Sequence, residues 1–301
     1  MTRRPFIVAE LAASHNGSLQ RALHLVDAAA DAGADAVKLQ TWTPDSMVGD
    51  KDYVVPDGPW AGQRLLDLYR EAHTPWIWHQ PIFNHARARG VLPFSTPFDL
   101  DALAFLEREG QCEIYKIASF EIVDTHLIKA VARTGKPMII STGMATFEEI
   151  QRAWFTAYEH GCRDITLLKC TSAYPAPASS ANLAAMQRLQ AAFCGNSTSV
   201  GLSDHTMGSA VAVAATAMGA TVIEKHLTLA RADGGPDAGF SMEPAEFAQM
   251  VKDCRTAAEA IGESVFGPGP GEYTALRRSL WLVKDVKAGE RITNSHVRSA
   301  R

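Results

Sequence analysis

Short runs of aliphatic and β-branched residues alternate along the chain with longer stretches whose apolar positions recur every three or four residues. The runs Phe6–Glu10, Ala36–Gln40, Leu92–Thr96, Glu113–Ile117, Pro137–Ser141, Ile165–Cys170, Ser199–Leu202 and Val222–His226 predict buried strands. Between them, Leu19–Ala32, Gln80–Arg89, Leu100–Glu109, Thr125–Thr134, Thr146–Gly161, Asn182–Phe193 and Met207–Met218 predict amphipathic helices, and Glu243–Ile261 adds one after the eighth strand. A strand followed by a helix eight times over is the pattern of a (β/α)8 TIM barrel. The segments Ala32–Lys38 and Met218–Lys225 echo each other: a glycine ends a helix and a strand begins almost at once. A doubly wound sheet would need a glycine-rich phosphate loop after its first strand, and Glu10–Gly17 does not supply one. The longest irregular piece, Thr41–Pro75, follows the second strand, where a long βα loop serves the catalytic face. Gly267–Gly271 reads Gly-Pro-Gly-Pro-Gly and predicts a linker, with a strand resuming at Ser279–Lys284. The expected division is a barrel over 1–266, a linker over 267–278 and the start of a second domain over 279–301.

Composition narrows the function. Apolar residues make up 47% of the 301 residues, charged ones 21%, and the formal net charge is −4. This excludes a general binder of nucleic acid or of membrane surfaces, so any anionic substrate must be met by a local group of cations. The N-terminus lacks the apolar core and cleavage site of a secretory signal, and no apolar run approaches the ~20 residues of a membrane span. Cys112, Cys162, Cys170, Cys194 and Cys254 are scattered, odd in number and without Cys-x-x-Cys spacing. They read as reduced thiols filling the core of a cytoplasmic protein.

The strand ends carry the candidate chemistry, because in such barrels the C-terminal ends of the strands face the substrate. Gly201-Leu-Ser-Asp-His-Thr206 and Val222-Ile-Glu-Lys-His226 each bring a strand to a histidine, with one helix between. That unit sets His205 and His226 side by side, with Ser203, Asp204, Glu224 and Lys225, as a candidate metal pair. Other strand ends supply Glu10, Lys38, Gln40, Ser95, Thr96, Lys116, Ser119, Glu121, Ser141, Lys169, Ser172 and Tyr174. Lysines with hydroxyls suit a phosphate or carboxylate, and Glu10 and Glu121 suit proton transfer. Together they describe condensation of an anionic phosphorylated compound with a metal-polarised carbonyl. The plainer readings are local: a single strand-end histidine is more often a satisfied polar residue than a ligand. His79 and His85 read as packing or surface residues, Trp76 and Trp78 as packing for the long loop, and Cys170 has no evident base beside it.

The segments Ile7–Ser18 (IVAELAASHNGS), Gly33–Thr41 (GADAVKLQT), Phe94–Asp99 (FSTPFD), Tyr115–Glu121 (YKIASFE), Ile140–Met144 (ISTGM), Cys170–Pro175 (CTSAYP), Gly201–His205 (GLSDH) and Ile223–His226 (IEKH) resemble the sialic acid synthase family in order and spacing. The resemblance covers the whole barrel. It implies condensation of phosphoenolpyruvate with an acetamido sugar to a nine-carbon sialic-type acid, with release of phosphate. It implies a divalent metal on His205 and His226, Mn²⁺ first, with Mg²⁺ or Co²⁺ as alternatives. Phosphoenolpyruvate would be held by Lys38, Thr96, Lys116, Ser119, Ser141, Ser172 and Ser203. Glu10, Glu121, Tyr174 and Asp237 would serve the sugar and proton transfer. Ser172 stands where many relatives of the N-acetylneuraminate type have Asn. Leu68–His79 is most similar to the pseudaminic acid synthase subgroup, whose sugar is a 2,4-diacetamido-2,4,6-trideoxy-altrose. N-acetylneuraminate or legionaminic acid synthesis is the alternative within the family. Outside it stand a metal-dependent or Schiff-base aldolase using Lys116 or Lys169, and a non-catalytic barrel that binds sugar phosphates. Arg278–Glu290 resembles the start of the family's antifreeze-like domain, with Arg301 at the arginine that reaches a partner's active site, and the domain body beyond it is expected to be missing. A homodimer is the expected assembly where that domain is complete.

Overall fold

The computed structural model describes residues 4–109, 112–193, 195, 197–264 and 266–301. Eight parallel strands close into a barrel in sequence order: β1 (Phe6–Glu10), β2 (Ala36–Thr41), β3 (Leu92–Pro97), β4 (Tyr115–Ile117), β5 (Met138–Ser141), β6 (Ile165–Cys170), β7 (Thr198–Asp204) and β8 (Val222–His226). Closure runs from β8 back to β1, pairing Phe6 with Val222 and Glu10 with His226. Helices α1 (Leu19–Asp31), α2 (Leu65–Ala72), α3 (His79–Ala88), α4 (Leu100–Arg108), α5 (Thr125–Ala132), α6 (Phe147–Glu159), α7 (Ala184–Phe193), α8 (Ala210–Ala217) and α9 (Pro244–Ile261) fill the connections.

Local chemistry sets the helix ends and faces. In α1 the buried residues Ala22, Leu25, Val26 and Ala29 fall at helical spacing on one stripe, and the Ser18 side chain accepts from the Arg21 N–H at 3.3 Å to cap the helix. A reciprocal capping box starts α6, with Thr146 and Glu149 each accepting the other's backbone N–H. Between β7 and β8, a Cβ on Gly201 would lie 2.3 Å from the Val222 carbonyl oxygen, so only glycine lets these strands approach as they do.

Thr41–Pro75, expected to be irregular, holds a 3₁₀ turn at Pro44–Ser46, an antiparallel bridge between Val54 and Arg64, and α2. Its apolar residues find partners of their own: Trp42 and Ala72 pack with Ala13, against Met47, Tyr69 and Phe98. No local periodicity marks this second, small core, because it is assembled from residues far apart in sequence.

The chain divides into two units, Met1–Gly262 and Glu263–Arg301. The second contains the antiparallel pair β9 (Ser279–Leu282) and β10 (Val297–Ala300), in register from Val297–Leu282 to Ala300–Ser279. Cys112, Cys162, Cys170 and Cys254 are buried free thiols, and Cys194 lies outside the described residues.

Candidate active site

Strand register decides which polar side chains meet. Following the pairing around the barrel, Glu10, Lys38, Lys116, Ser141, Cys170, Ser203 and Glu224 all have one parity, and the neighbouring positions have the other. A one-residue step on a strand turns the side chain to the opposite face, so these residues form the inner layer at the C-terminal mouth. Lys225 and Asp204, which the sequence groups with the histidines, have the outer parity. They pair with each other at 2.6 Å, both buried, and Lys225 also donates to the Gly208 carbonyl at 3.1 Å. They staple the loop after β7 to the barrel and are no part of the mouth. Lys169 likewise turns away, donating to the Cys170 carbonyl at 2.6 Å.

Inside, four charges interlock. Lys38 pairs with Glu10 and lies 3.7 Å from Glu224, while Lys116 donates to Glu224 at 3.3 Å. Ser203 donates to the same Glu224 oxygen at 3.1 Å, and Lys38 reaches the Thr96 hydroxyl at 3.3 Å. Burial opposes the Lys38 ammonium, but Glu10 and Glu224 outweigh it and hold its pKa above the ordinary lysine range. Burial also opposes Lys116, and with Lys38 repelling it the balance falls below the ordinary range despite Glu224. Of the two inner lysines, Lys116 is therefore the less satisfied by the protein and the one with more to gain from an incoming anion.

Beside it, hydroxyls wait without partners. The buried Ser141 and Ser172 side-chain oxygens have no hydrogen-bond partner, and Ser119 accepts from the Gly143 N–H at 3.1 Å. A Cβ on Gly143 would stand 2.2 Å from the Ser172 oxygen and 2.7 Å from that of Ser119, so the turn after β5 is shaped as a hollow among hydroxyls. Unpaired buried hydroxyls are costly unless a ligand uses them.

Across the mouth, the His205 and His226 rings lie 5.4 Å apart between centroids. His205 Nδ1 donates to the Thr171 carbonyl at 2.8 Å, which leaves Nε2 for a ligand. His226 is kept neutral by burial and by the charges of His205 and Lys38, and its buried Nδ1 has no hydrogen-bond partner. Asp237 stands 3.8 Å from that nitrogen and takes the Ala13 N–H at 3.4 Å. Two imidazoles, one with an orphaned nitrogen, are donors of the type that suits a divalent cation. Among the described residues no three His, Cys, Asp or Glu side chains are gathered closely enough to hold a metal ion by themselves. Cys170 does have an imidazole beside it, contrary to the sequence reading: its sulfur is 3.9 Å from His205 Nδ1. Burial pushes the thiol up, but His205, Ser119 and Lys116 outweigh it and bring Cys170 down to about 7.

Next to the histidines opens a cavity of ≈ 400 Å³. Its polar lining is Gln40, Glu121, Tyr174, His226 and Asp237, and the loop after β2 contributes Trp42, Met47, Val55, Trp60, Leu65, Leu68 and Tyr69. Burial raises Glu121 to about 7 and Asp237 to about 6. Tyr174 stacks obliquely on His205, with centroids 4.3 Å apart. Glu10 is absent from this lining: its carboxylate pairs with Lys38 and accepts the Ala12 N–H at 2.8 Å. His15 and His79 are buried and driven down to about 4, chiefly by burial, and hold the loop through Thr74 and Thr41. The apolar lining escaped the sequence reading because nothing local distinguishes Val55 or Leu65 from ordinary loop anchors.

Comparison with known proteins bears on this arrangement. The model of the NeuB family matches residues 25–266. The chain is 41% identical to the pseudaminic acid synthase of Campylobacter jejuni subsp. jejuni serotype O:23/36 (strain 81-176), over 99% of this chain and 88% of that protein. It is 41% identical to the pseudaminic acid synthase of Helicobacter pylori (strain ATCC 700392 / 26695), over 100% of this chain and 89% of the relative. Among solved structures, N-acetylneuraminic acid synthetase from Leptospira borgpetersenii serovar Hardjo-bovis, in complex with citrate, superposes with a TM-score of 0.81 at 31% identity. That match covers 91% of this chain and 90% of the other.

Proposed function

The chain belongs to the NeuB family, and from that premise we infer that it is a synthase joining phosphoenolpyruvate to an acetamido sugar. The product is a nine-carbon sialic-type acid, and phosphate is released. The observation that carries this reading is the 41% identity, over nearly the whole chain, to proteins named as pseudaminic acid synthases. The sugar assigned is 2,4-diacetamido-2,4,6-trideoxy-altrose, and the apolar wall of the cavity supports a substrate with methyl groups where other sugars carry hydroxyls.

In this reading C3 of phosphoenolpyruvate attacks the aldehyde carbon, water adds at C2, and the tetrahedral intermediate collapses with loss of phosphate. Lys116 and Lys38 supply charge, and Ser119, Ser141, Ser172, Ser203 and Thr96 supply hydroxyls to the phosphate and carboxylate oxygens. His205 and His226 would hold a divalent cation, Mn²⁺ in the first instance, which when bound supplies Lewis-acid polarisation of the aldehyde oxygen. Glu121, raised to about 7 by burial, is suited to take a proton from the water near neutral pH. Tyr174 and Asp237 orient the sugar beside the histidines. Residues Arg278–Glu290 with β9 and β10 are assigned to the start of an antifreeze-like domain, and a homodimer is the assembly that such a domain would support. Among the described residues no helix is long and apolar enough to cross a membrane. The cytoplasm, where phosphoenolpyruvate is available, is the compartment assigned.

The test is phosphate release from phosphoenolpyruvate with a panel of acetamido sugars, with and without Mn²⁺, for the wild type and for His205→Ala and His226→Ala. Release with the diacetamido-trideoxy sugar, lost in both variants, is expected. Wild-type protein that releases no phosphate with any sugar would defeat the reading. Variants that bind Mn²⁺ as the wild type does, by calorimetry, would remove the histidines from the metal.

A further inference from the structure

Residues 49–64 form an exposed arm on the loop after β2. Within it only Val55 and Trp60 are even half-buried. The arm is folded on itself as a small hairpin: Val55 N–H donates to Gln63 at 2.9 Å, Gly62 N–H to Val55 at 2.9 Å and Leu65 N–H to Tyr53 at 2.9 Å. Trp60 sits near its tip. The Trp60 indole N–H donates to the Pro236 carbonyl at 2.9 Å, in the segment after β8, on the far side of the cavity. Its ring lies 5.6 Å from Tyr174 and 6.4 Å from Phe240. Among the described residues it makes the single side-chain hydrogen bond from this arm to anything beyond residues 42–75. An arm with little buried surface has low local stability, so one such tie governs where it rests.

We infer that Trp60 is a positioning residue for the sugar, latching the hairpin across the cavity. This rests on the synthase reading proposed above. The bonded carbonyl belongs to the peptide that leads into Asp237, whose carboxylate stands 3.8 Å from His226 Nδ1. The tilted ring beside it is that of Tyr174, itself 4.3 Å from His205. Trp60 therefore touches the neighbour of each histidine while it holds Val55 and Leu65 in the cavity wall. Lys38, Lys116 and Ser141, assigned to phosphate, do not line the cavity that Trp60 closes. A sugar in the cavity feels the latch, and phosphoenolpyruvate does not.

Two variants separate the latch from plain packing. Trp60→Phe keeps a ring against Tyr174 and Phe240 but loses the N–H donor, and Trp60→Ala loses both. With Mn²⁺ present, Trp60→Ala should raise KM for the sugar about tenfold and lower kcat, with KM for phosphoenolpyruvate within about twofold, as expected for one lost hydrogen bond and its ring contacts. Trp60→Phe should fall between, at roughly threefold on the sugar alone. Tryptic cleavage at the exposed Lys51 and Arg64 gives a readout independent of activity. Trp60→Ala should be cut several times faster than the wild type, with an unchanged melting temperature. Equal loss of affinity for both substrates, or equal cleavage rates in Trp60→Ala and the wild type, would overturn the inference. Failure of the wild type to release phosphate with any sugar counts against the synthase reading, and the cleavage rates then decide the latch by themselves.

Discussion

The two halves of the site are made by different parts of the chain and held by different forces. The half assigned above to phosphate is strand-borne: Lys38, Thr96, Lys116, Ser141, Ser203 and Glu224 are each at most 5% exposed and fixed by the pairing register. The half assigned to the sugar is mainly loop-borne, apolar, and closed by an arm of which only Val55 and Trp60 are even half-buried between residues 49 and 64. In the first, charges are crowded and any loss leaves a partner stranded. In the second, contacts are individually small and can be exchanged. Chemistry placed on strands is thereby insulated from changes of substrate placed on loops.

The largest effect should come from breaking the charge cluster. Lys38→Met would leave Glu10 and Glu224 buried without their shared cation, at a cost of ~3–5 kcal/mol in stability. Phosphate release should fall by about 10²–10³-fold. Leu68→Ala, in the cavity wall, should instead raise only the sugar KM, by a factor of ~10 or less. Chemical denaturation and steady-state kinetics on both variants check this. A Lys38→Met protein as stable as the wild type would erase the distinction between the halves.

Glu121 sharpens the comparison because it lies where the halves meet. It follows β4 but lines the cavity, and burial holds its pKa at about 7 against an ordinary 4.5. In the unfolded chain it ionises near 4.5, so the folded state binds the extra proton between those values and loses stability as pH rises. Below pH 4.5 the group contributes no penalty, and above about 7 the penalty is complete. Glu121→Gln should therefore stabilise the protein at pH 8 by at most ~3 kcal/mol and leave it unchanged at pH 4. Thermal melts across that range measure the difference. A variant gain that is the same at pH 4 and pH 8 would mean the cavity is not the low-dielectric half.

Much of the first half was legible in the sequence. Polar residues in otherwise apolar strand runs have no reason to be buried unless they meet, and period-2 alternation separates Lys38 and Lys116 from the outward residues. That same alternation, applied to Val222–His226, puts Lys225 opposite Glu224 and so on the outer face with Asp204, away from the histidines. The barrel itself followed from the repeat, though strand ends differ by a few residues, as in β4, which starts at Tyr115 instead of Glu113. The second half was not legible. Trp60 finds Pro236 across 176 positions, and no periodicity or local motif encodes a contact of that kind. The imidazole beside Cys170 is another such case, since His205 is 35 residues away and arrives through the β6–β7 register.

The finest test concerns where the boundary runs. Ser141 and Ser172 have buried oxygens with no partner, and Ser172 stands against the turn at Gly143. If both belong to the phosphate half, Ser141→Ala and Ser172→Ala should each raise KM for phosphoenolpyruvate by about ten- to a hundredfold, the worth of one hydrogen bond to a charged group. The sugar KM should not move. Neither variant should lose stability, because removing an unsatisfied buried hydroxyl relieves a desolvation cost while deleting only one atom. Kinetics with each substrate varied, together with melting temperatures, decide this. A Ser172→Ala protein whose defect lies in the sugar would shift the boundary to the far side of Gly143, leaving Ser119 and Ser141 with Lys116 and assigning Ser172 to the neighbourhood of Tyr174, two residues along the same segment.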